Sequence, residues 1–426
     1  MPAFVPWAYI LQENKRQVTP ERKFLSGELS TSGFMTKYSN MVNIIKIGFL
    51  FPYSSIHPNM SRDIIDGFYA AIPKQHKGSF QFFPEFIDQG KRELVKTAIN
   101  KLVSFHNVDI ISGFISYKSI PDIIPVIQQR NKIGFFFDMG EYLPPVFTLP
   151  VDLFSNSFLI WQMEYALGNW SQATYKGKGA MLMSVYDAGY HMHSAFWQGA
   201  ISAGAKEIDM HVIPYNPDQK SILPMLPSFL EKIEKSNVDY LHVLFCGEEA
   251  IDFYRAFKES SLYGRIPLIV SPHMASDEII SRTNNLDIKC FSASGWNYYS
   301  TSVHNQSFKK VYESATGKKA TLFAVMGYES GLAFLNVLPE LQRNDKETAL
   351  SFFRNGTVTG PRGIRNFRLD AKLNLPEIEI EKITFQPLNP LKIIIEQGKA
   401  MPYNDSVFSD IHNLCVSGWE NPYLCV

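Results

Sequence analysis

Short apolar runs rich in β-formers alternate along this chain with segments of helical spacing, and they do so in two successive series. In the first, residues 44–51 (IIKIGFLF), 80–87, 108–113 and 133–137 read as strands, and 60–72, 91–105 and 120–130 as helices. The helical stripe is explicit in the second of those helices, where Leu94, Ala98, Leu102 and Phe105 recur three or four residues apart. In the second series, strands over 179–185, 207–213, 240–245, 267–271 and 288–294 alternate with helices over 191–203, 222–236 and 248–260. A strand followed by a helix, repeated, builds βαβ units, and right-handed crossovers then place helices on both faces of a mostly parallel sheet. Two such series predict two doubly wound α/β halves of similar plan.

With 426 residues the chain exceeds the size at which a single core usually stops growing, which also favours two domains. Residues 1–42 read as an N-terminal extension with charged and Ser/Thr-rich pieces. Beyond the second series, helices are expected over 303–315, 321–338 and 346–353. A turn-rich stretch with Gly356, Gly360, Pro361 and Gly363 follows, then short strands over 364–369, 378–384 and 391–395. Residues 396–426 read as an irregular tail.

Several function classes fall away early. Lys+Arg and Asp+Glu both number 41, so there is no electrostatic footprint for nucleic acid. No stretch of about 18 apolar residues predicts a membrane-spanning helix. The opening MPAFVPWAYIL lacks a basic n-region and is cut by prolines, so it does not read as a signal peptide. Met41, directly before the first strand, is a second candidate start. The four cysteines show neither C-x-x-C nor zinc spacing. Cys246 and Cys290 sit in strand-like runs and read as small buried hydrophobes. Cys415 and Cys425 flank VSGWENPYL; a disulfide closing that tail is one reading, and it would indicate an oxidising compartment. His191 and His193 are two residues apart at a helix start and do not share a face, so no metal site is expected. No H-E-x-x-H, G-x-S-x-G or phosphate-loop motif occurs, and Gly177-x-Gly179 precedes a strand instead of following one. Neither a cofactor nor a catalytic residue is expected.

The stretches NIIKIGFLFPYSS and PNMSRDIIDGFYAAI resemble the opening strand, Ser-containing loop and first helix of type I periplasmic binding proteins. FPEFIDQGKRELVKTAINKLV, followed by VDIISGFIS, is similar to that family's second strand, helix and third strand. IPLIVSPHMASDEII and TGPRGIRNFRLDAKLNLP also fall where the family has such segments, and the resemblance spans roughly residues 43–395. The branched-chain-amino-acid (Leu/Ile/Val-binding-like) substrate-binding proteins of ABC transporters are the nearest type. The resemblance implies two Rossmann-like lobes, 43–153 plus 294–356 and 154–293 plus 357–395, joined by a three-crossing hinge near 149–156, 291–296 and 356–363. It also implies a monomer that captures an amino-acid-like or other polar or aromatic metabolite, an ABC permease as partner, and a periplasmic or extracytoplasmic location. The missing signal peptide leaves the cytoplasm open too, and with it a second reading as a stand-alone ligand sensor. An enzyme on the same plan would need a nucleophile or metal constellation that the sequence does not display.

Open parallel sheets bind ligands at the carboxyl ends of their strands, so the loops just beyond the strands supply the candidate site. After the first strand, Tyr53 offers an aromatic wall and Ser54 a hydroxyl; an ordinary turn is the alternative. After Gly113 come Ser116 and Tyr117, where the resemblance implies small hydroxyl residues holding a ligand carboxylate. After Phe137 come Asp138, Gly140 and Glu141, two acids where amino-acid binders have a small Ala/Ser/Thr segment. That departure suits a cationic or hydroxyl-rich ligand, unless one acid caps the next helix. In the second half, Asp187 and Tyr190 match an Asp-x-x-Tyr spacing of the family; Tyr190 is favoured as the contact and Asp187 equally reads as a cap. Cys246 lies in the next loop. His273 stands where amino-acid binders have an acid for the ligand's ammonium, and a histidine suits a neutral or anionic group. Trp296 either stacks on a ligand or packs the hinge.

Overall fold

The computed structural model describes residues 43–144, 146, 153–216, 221–368, 376–387, 390–414 and 418–424. The first half opens with β1 (Ile45–Phe51), α1 (Met60–Ala71), β2 (Phe80–Phe86), α2 (Arg92–Ser104), β3 (Ile110–Phe114), α3 (Ile120–Gln129), β4 (Ile133–Asp138) and β5 (Leu153–Ser157). These strands form a wholly parallel sheet in the order β2-β1-β3-β4-β5. β3 and β4 are buried along their whole length, which is why they read as unbroken apolar runs.

The second half contains α4 (Ile160–Tyr175), β6 (Gly179–Ser184), the single turn α5 (Val185–Ala188), α6 (Met192–Ser202), β7 (Ile208–Ile213), α7 (Leu226–Lys235), β8 (Tyr240–Leu244), α8 (Glu248–Glu259), β9 (Leu268–Val270), α9 (Asp277–Ser281) and β10 (Lys289–Ser294). The chain then forms α10 (Val303–Thr316), α11 (Leu322–Gln342), α12 (Lys346–Asn355), the hairpin β11 (Val358–Gly360) and β12 (Gly363–Arg365), then β13 (Glu379–Thr384), β14 (Leu391–Gln397) and α13 (Asp405–Leu414). The second sheet runs β14-β13-β10-β9-β8-β6-β7, parallel from β10 to β7, with β13 and β14 added antiparallel. Successive residues of a strand face opposite sides. Ala180, Leu182, Leu241 and Val243 therefore join one core with α7 and α8. Met181, Met183, Tyr240 and Leu244 turn to the other, which holds α4 and α6.

The two halves are joined where the chain passes from β5 to α4, from β10 to α10, and from the β11–β12 hairpin toward β13. α10, α11 and α12 return to the first half, where α11 lies across α1. A Cβ added to Gly67 would come within 2.1 Å of the Ala324 carbonyl oxygen, and one on Gly327 within 1.9 Å of that of Ile64, so the α1–α11 crossing requires both glycines. α4 crosses α6 in the same way through Gly168 and Gly199. α11 is the one helix among the described residues long and apolar enough to cross a membrane; 67% of its most apolar window is buried inside the fold.

Three local expectations change. β5 and α4 carry no expected counterpart, because α4 is buried on all sides and shows no apolar stripe. The strand expected over 364–369 is the second arm of a short hairpin instead, and Arg368 makes an isolated bridge to Phe154. The tail is not wholly irregular: α13 seats Phe408 and Ile411 against Leu143, Leu159 and Trp161.

Candidate functional site

The strand-end loops of the two sheets meet. The Glu141 carbonyl accepts from the His191 N–H at 2.9 Å, and Leu143 N–H donates to His191 Nδ1 at 3.1 Å. His57, beyond β1, lies 3.6 Å from the Glu278 carboxylate on α9, and its ring centre is 5.6 Å from that of His273. These contacts set one wall from each half face to face, and the candidate cleft lies between them.

On the first wall, Ser54 is buried and its hydroxyl accepts from the His57 N–H at 3.0 Å. Ser116 is also fully buried, and caps the turn that follows by accepting from Lys118 N–H. Glu141 is 1% exposed, with the Ser116 hydroxyl and the Met139 backbone beside its carboxyl. Burial first, and the Asp138 charge second, push its pKa up to about 8, so it carries a proton at neutral pH and can donate. On the second wall, the Ser184 hydroxyl caps α5 and also donates to Asp187 at 2.7 Å. Burial, with the Glu249 charge behind it, pushes Asp187 up to about 8. Tyr186 and Tyr190 stand edge to face with ring centres 5.4 Å apart. His273 is 3% exposed, and burial, with nearby His57, holds its pKa down at about 3, so it faces the cleft as a neutral imidazole.

A family model described as periplasmic binding protein matches residues 44–374. The chain belongs to the periplasmic binding protein family. Periplasmic binding proteins of this type hold solutes and catalyse no reaction. Its fold is similar to that of an ABC transporter substrate-binding protein from Sphaerobacter thermophilus, at 19% identity and TM-score 0.69, covering 85% of this chain and 100% of that one. It is similar to a solute-binding protein of an ABC transporter from R. palustris in complex with benzoate, at 18% identity and TM-score 0.66, covering 85% and 99%. A leucine-binding protein from Thermotoga maritima also matches, at 12% identity and TM-score 0.62, covering 82% and 98%. No curated protein sequence matches.

Not every residue nominated from strand-end position faces the cleft of this binding protein. Asp138 is committed internally: its carboxylate accepts from Ser155 at 2.7 Å, Ser157 at 2.5 Å and the Gly140 N–H at 2.7 Å, tying β4 to β5. Gly140 serves the backbone, with φ at 73° and a Cβ position 2.5 Å from the Leu159 Cα. Tyr117 has its phenol near Ser155 and Ser157, beside Asp138. Tyr53 is half exposed, its N–H held by the Asp88 carbonyl, and Ser54 turns inward in its place. Trp296 takes the hinge-packing alternative: its indole donates to Asn305 at 2.9 Å and packs on Tyr298 and Phe308. Asp187 is not a helix cap, since Ser184 has that role. Cys246 is buried as expected, but it is disulfide-bonded instead of being a free small hydrophobe. Its sulfur also lies 3.6 Å from His273 Nε2. Cys290 is free and buried; Cys415 and Cys425 lie outside the described residues. Among the described residues, no group of three His, Cys, Asp or Glu side chains is placed to hold a metal.

The structure adds residues that strand-end position did not nominate. Tyr142 places its phenol oxygen 3.0 Å from the Gly189 carbonyl and 2.6 Å from that of Trp419. Tyr423, from the tail, donates to Asp187 at 2.6 Å. Tyr186 was within reach of the sequence, beside the Asp-x-x-Tyr spacing; nothing local marks Tyr423, which lies far along the chain from either wall.

Proposed function

We propose that this protein captures a small aromatic or amino-acid-like solute between its two halves and presents the closed form to an ABC permease. One observation carries the reading: the two walls bring together a buried carboxyl that holds its proton, buried hydroxyls and a set of aromatic rings. Rings exclude water while a few aimed polar groups set orientation, the usual chemistry of a small-molecule site. Glu141 and Ser116 suit a carboxylate or carbonyl oxygen, and Asp187 suits a phenol or other donor. Related folds supply the probes, being solved with benzoate, 3,4-dihydroxybenzoate and 4-hydroxybenzoate, or described as binding leucine. Closure is a population shift about the three crossings. The disulfide at Cys246 supports an extracytoplasmic location. A monomer with lobes near 43–153 plus 294–356 and 154–293 plus 357–395 completes the reading.

Calorimetric titration of the full chain with benzoate, 4-hydroxybenzoate, 3,4-dihydroxybenzoate and L-leucine tests it, with and without a dithiol. At least one probe is expected to bind at one site, with the affinity reduced in Glu141→Ala and Tyr190→Ala. No heat from any probe under either condition would remove the proposal.

A further inference from the structure

The candidate cleft already contains part of the chain. Tyr423 and Leu424 are both 0% exposed. The Tyr423 ring lies stacked on Tyr186, with centres 5.8 Å apart, and edge-on to Tyr190 at 5.1 Å and His273 at 5.2 Å. Its phenol donates to Asp187, and the Ser54 hydroxyl donates to the Leu424 carbonyl at 2.7 Å. One two-residue step of backbone therefore engages both walls.

The segment leading in is held by both halves as well. Tyr190 donates to the Asn421 carbonyl at 3.3 Å, and the Trp419 indole to the Tyr186 carbonyl at 2.7 Å. From the other side, Tyr142 holds the Trp419 carbonyl, and a Cβ on Gly90 would come within 2.8 Å of Pro422. Residues 418–424 belong to no helix or strand, whereas α13 before them is anchored on its own apolar cluster.

We propose that residues 419–424 are a built-in occupant of the ligand cleft, with the Tyr423 phenol standing where the ring of a phenol-bearing aromatic solute binds, so that solute and tail compete. This rests on the reading of the cleft as a solute site. Tyr423 and Leu424 join the main apolar core, and Cys246 in the second wall is disulfide-bonded, so release is read with that bond open; three features then favour a displaceable occupant. The segment has no regular backbone pairing. It is tethered by an anchored helix, which keeps it at high effective concentration after release. It uses a phenol, a carbonyl and a ring face, the groups a small aromatic solute would offer. When the free site is only fractionally open, apparent affinity falls by that fraction.

The test uses the full chain and 4-hydroxybenzoate, with a dithiol present to open the disulfide at Cys246. Calorimetry is expected to show Tyr423→Ala binding the probe at least about tenfold more tightly than wild type, because the competitor is weakened. Hydrogen exchange on the unaltered protein gives a second readout that does not depend on a variant folding. Saturating 4-hydroxybenzoate is expected to speed amide exchange over residues 418–424 while slowing it beyond β3 and β6. If wild type binds the probe with exchange over 418–424 unchanged, or if Tyr423→Ala binds it equally or more weakly, the tail is a structural strap and this inference alone fails. If neither wild type nor Tyr423→Ala binds it, this inference fails; silence across the four-probe panel removes the solute-site reading as well.

Discussion

Glu141 and Asp138 are three residues apart and have opposite duties. Burial raises both, but Asp138 accepts three hydrogen bonds from its own neighbours, whereas Glu141 has the Asp138 charge beside it as a second upward push. A residue count could place two acids beyond β4 but could not divide these roles, because the Ser155 and Ser157 donors come from a strand that shows no sequence signal. The consequence is measurable. Glu141 ionises near 4.5 when unfolded and near 8 when folded. Between those values the folded state holds a proton that the unfolded state has lost, so this residue makes stability fall as pH rises, by up to about 1.4 kcal/mol per pH unit. Asp187 acts in the same direction over a similar window. His273 acts oppositely: it stays neutral when folded, so its contribution is lost as pH falls below 6.5 toward 3. Urea unfolding of wild type and Glu141→Gln from pH 5 to 8 isolates the Glu141 part. The variant is expected to gain on wild type progressively as pH rises; a constant offset would show that the carboxyl titrates normally.

At the scale of elements, legibility followed exposure of a pattern. Strands buried on both faces read as apolar runs, and the stripe read for α2 was half right: Ala98 and Leu102 face the core with Val95, Ile99 and Val103, whereas Leu94 and Phe105 are exposed. α4 did neither. It is enclosed on every side, and two of its polar side chains find partners inside: Gln162 exchanges hydrogen bonds with the Met401 backbone, and Gln172 accepts from Tyr240. Such a helix looks like mixed loop sequence until its neighbours are known. Its approach to α6 is equally specific. A Cβ on Gly199 would sit 2.0 Å from the Tyr165 carbonyl oxygen, and a backbone atom cannot rotate aside. Gly199→Ala is therefore expected to destabilise the fold by roughly 1–3 kcal/mol or more through helix displacement. Chemical denaturation would read this as a lower midpoint, and a midpoint within error of wild type would mean that the helices separate freely.

Across the whole molecule, the two-sheet plan was the most legible feature, because it depends on the order of many elements and not on any one. The contents of the cleft were the least legible, since Tyr423 meets Asp187 only once the chain is folded. The joints between the halves are similarly non-local. Arg362, 3% exposed at the side chain, sits in the turn of the β11–β12 hairpin and pairs with fully buried Glu329 of α11 at 2.6 Å. The same guanidinium donates to the Asn156 side chain at 2.6 Å and the Ser157 carbonyl at 3.0 Å, at the end of β5. Removing one member of a buried pair strands the other, so Arg362→Met is expected to cost about 3–5 kcal/mol. Arg362→Met combined with Glu329→Gln should recover part of it, and a double variant no better than the single would show that the pairing is not the source.

That one guanidinium has a mechanical corollary. It staples the end of β5, the last strand of the N-terminal sheet, onto the hairpin that precedes the last return, so two of the three joints are held together as one pivot. Two pivots define a line. A door hung on a line swings but does not slide, so solution scattering of an opened form is expected to fit a rotation of one sheet about that line and not a translation.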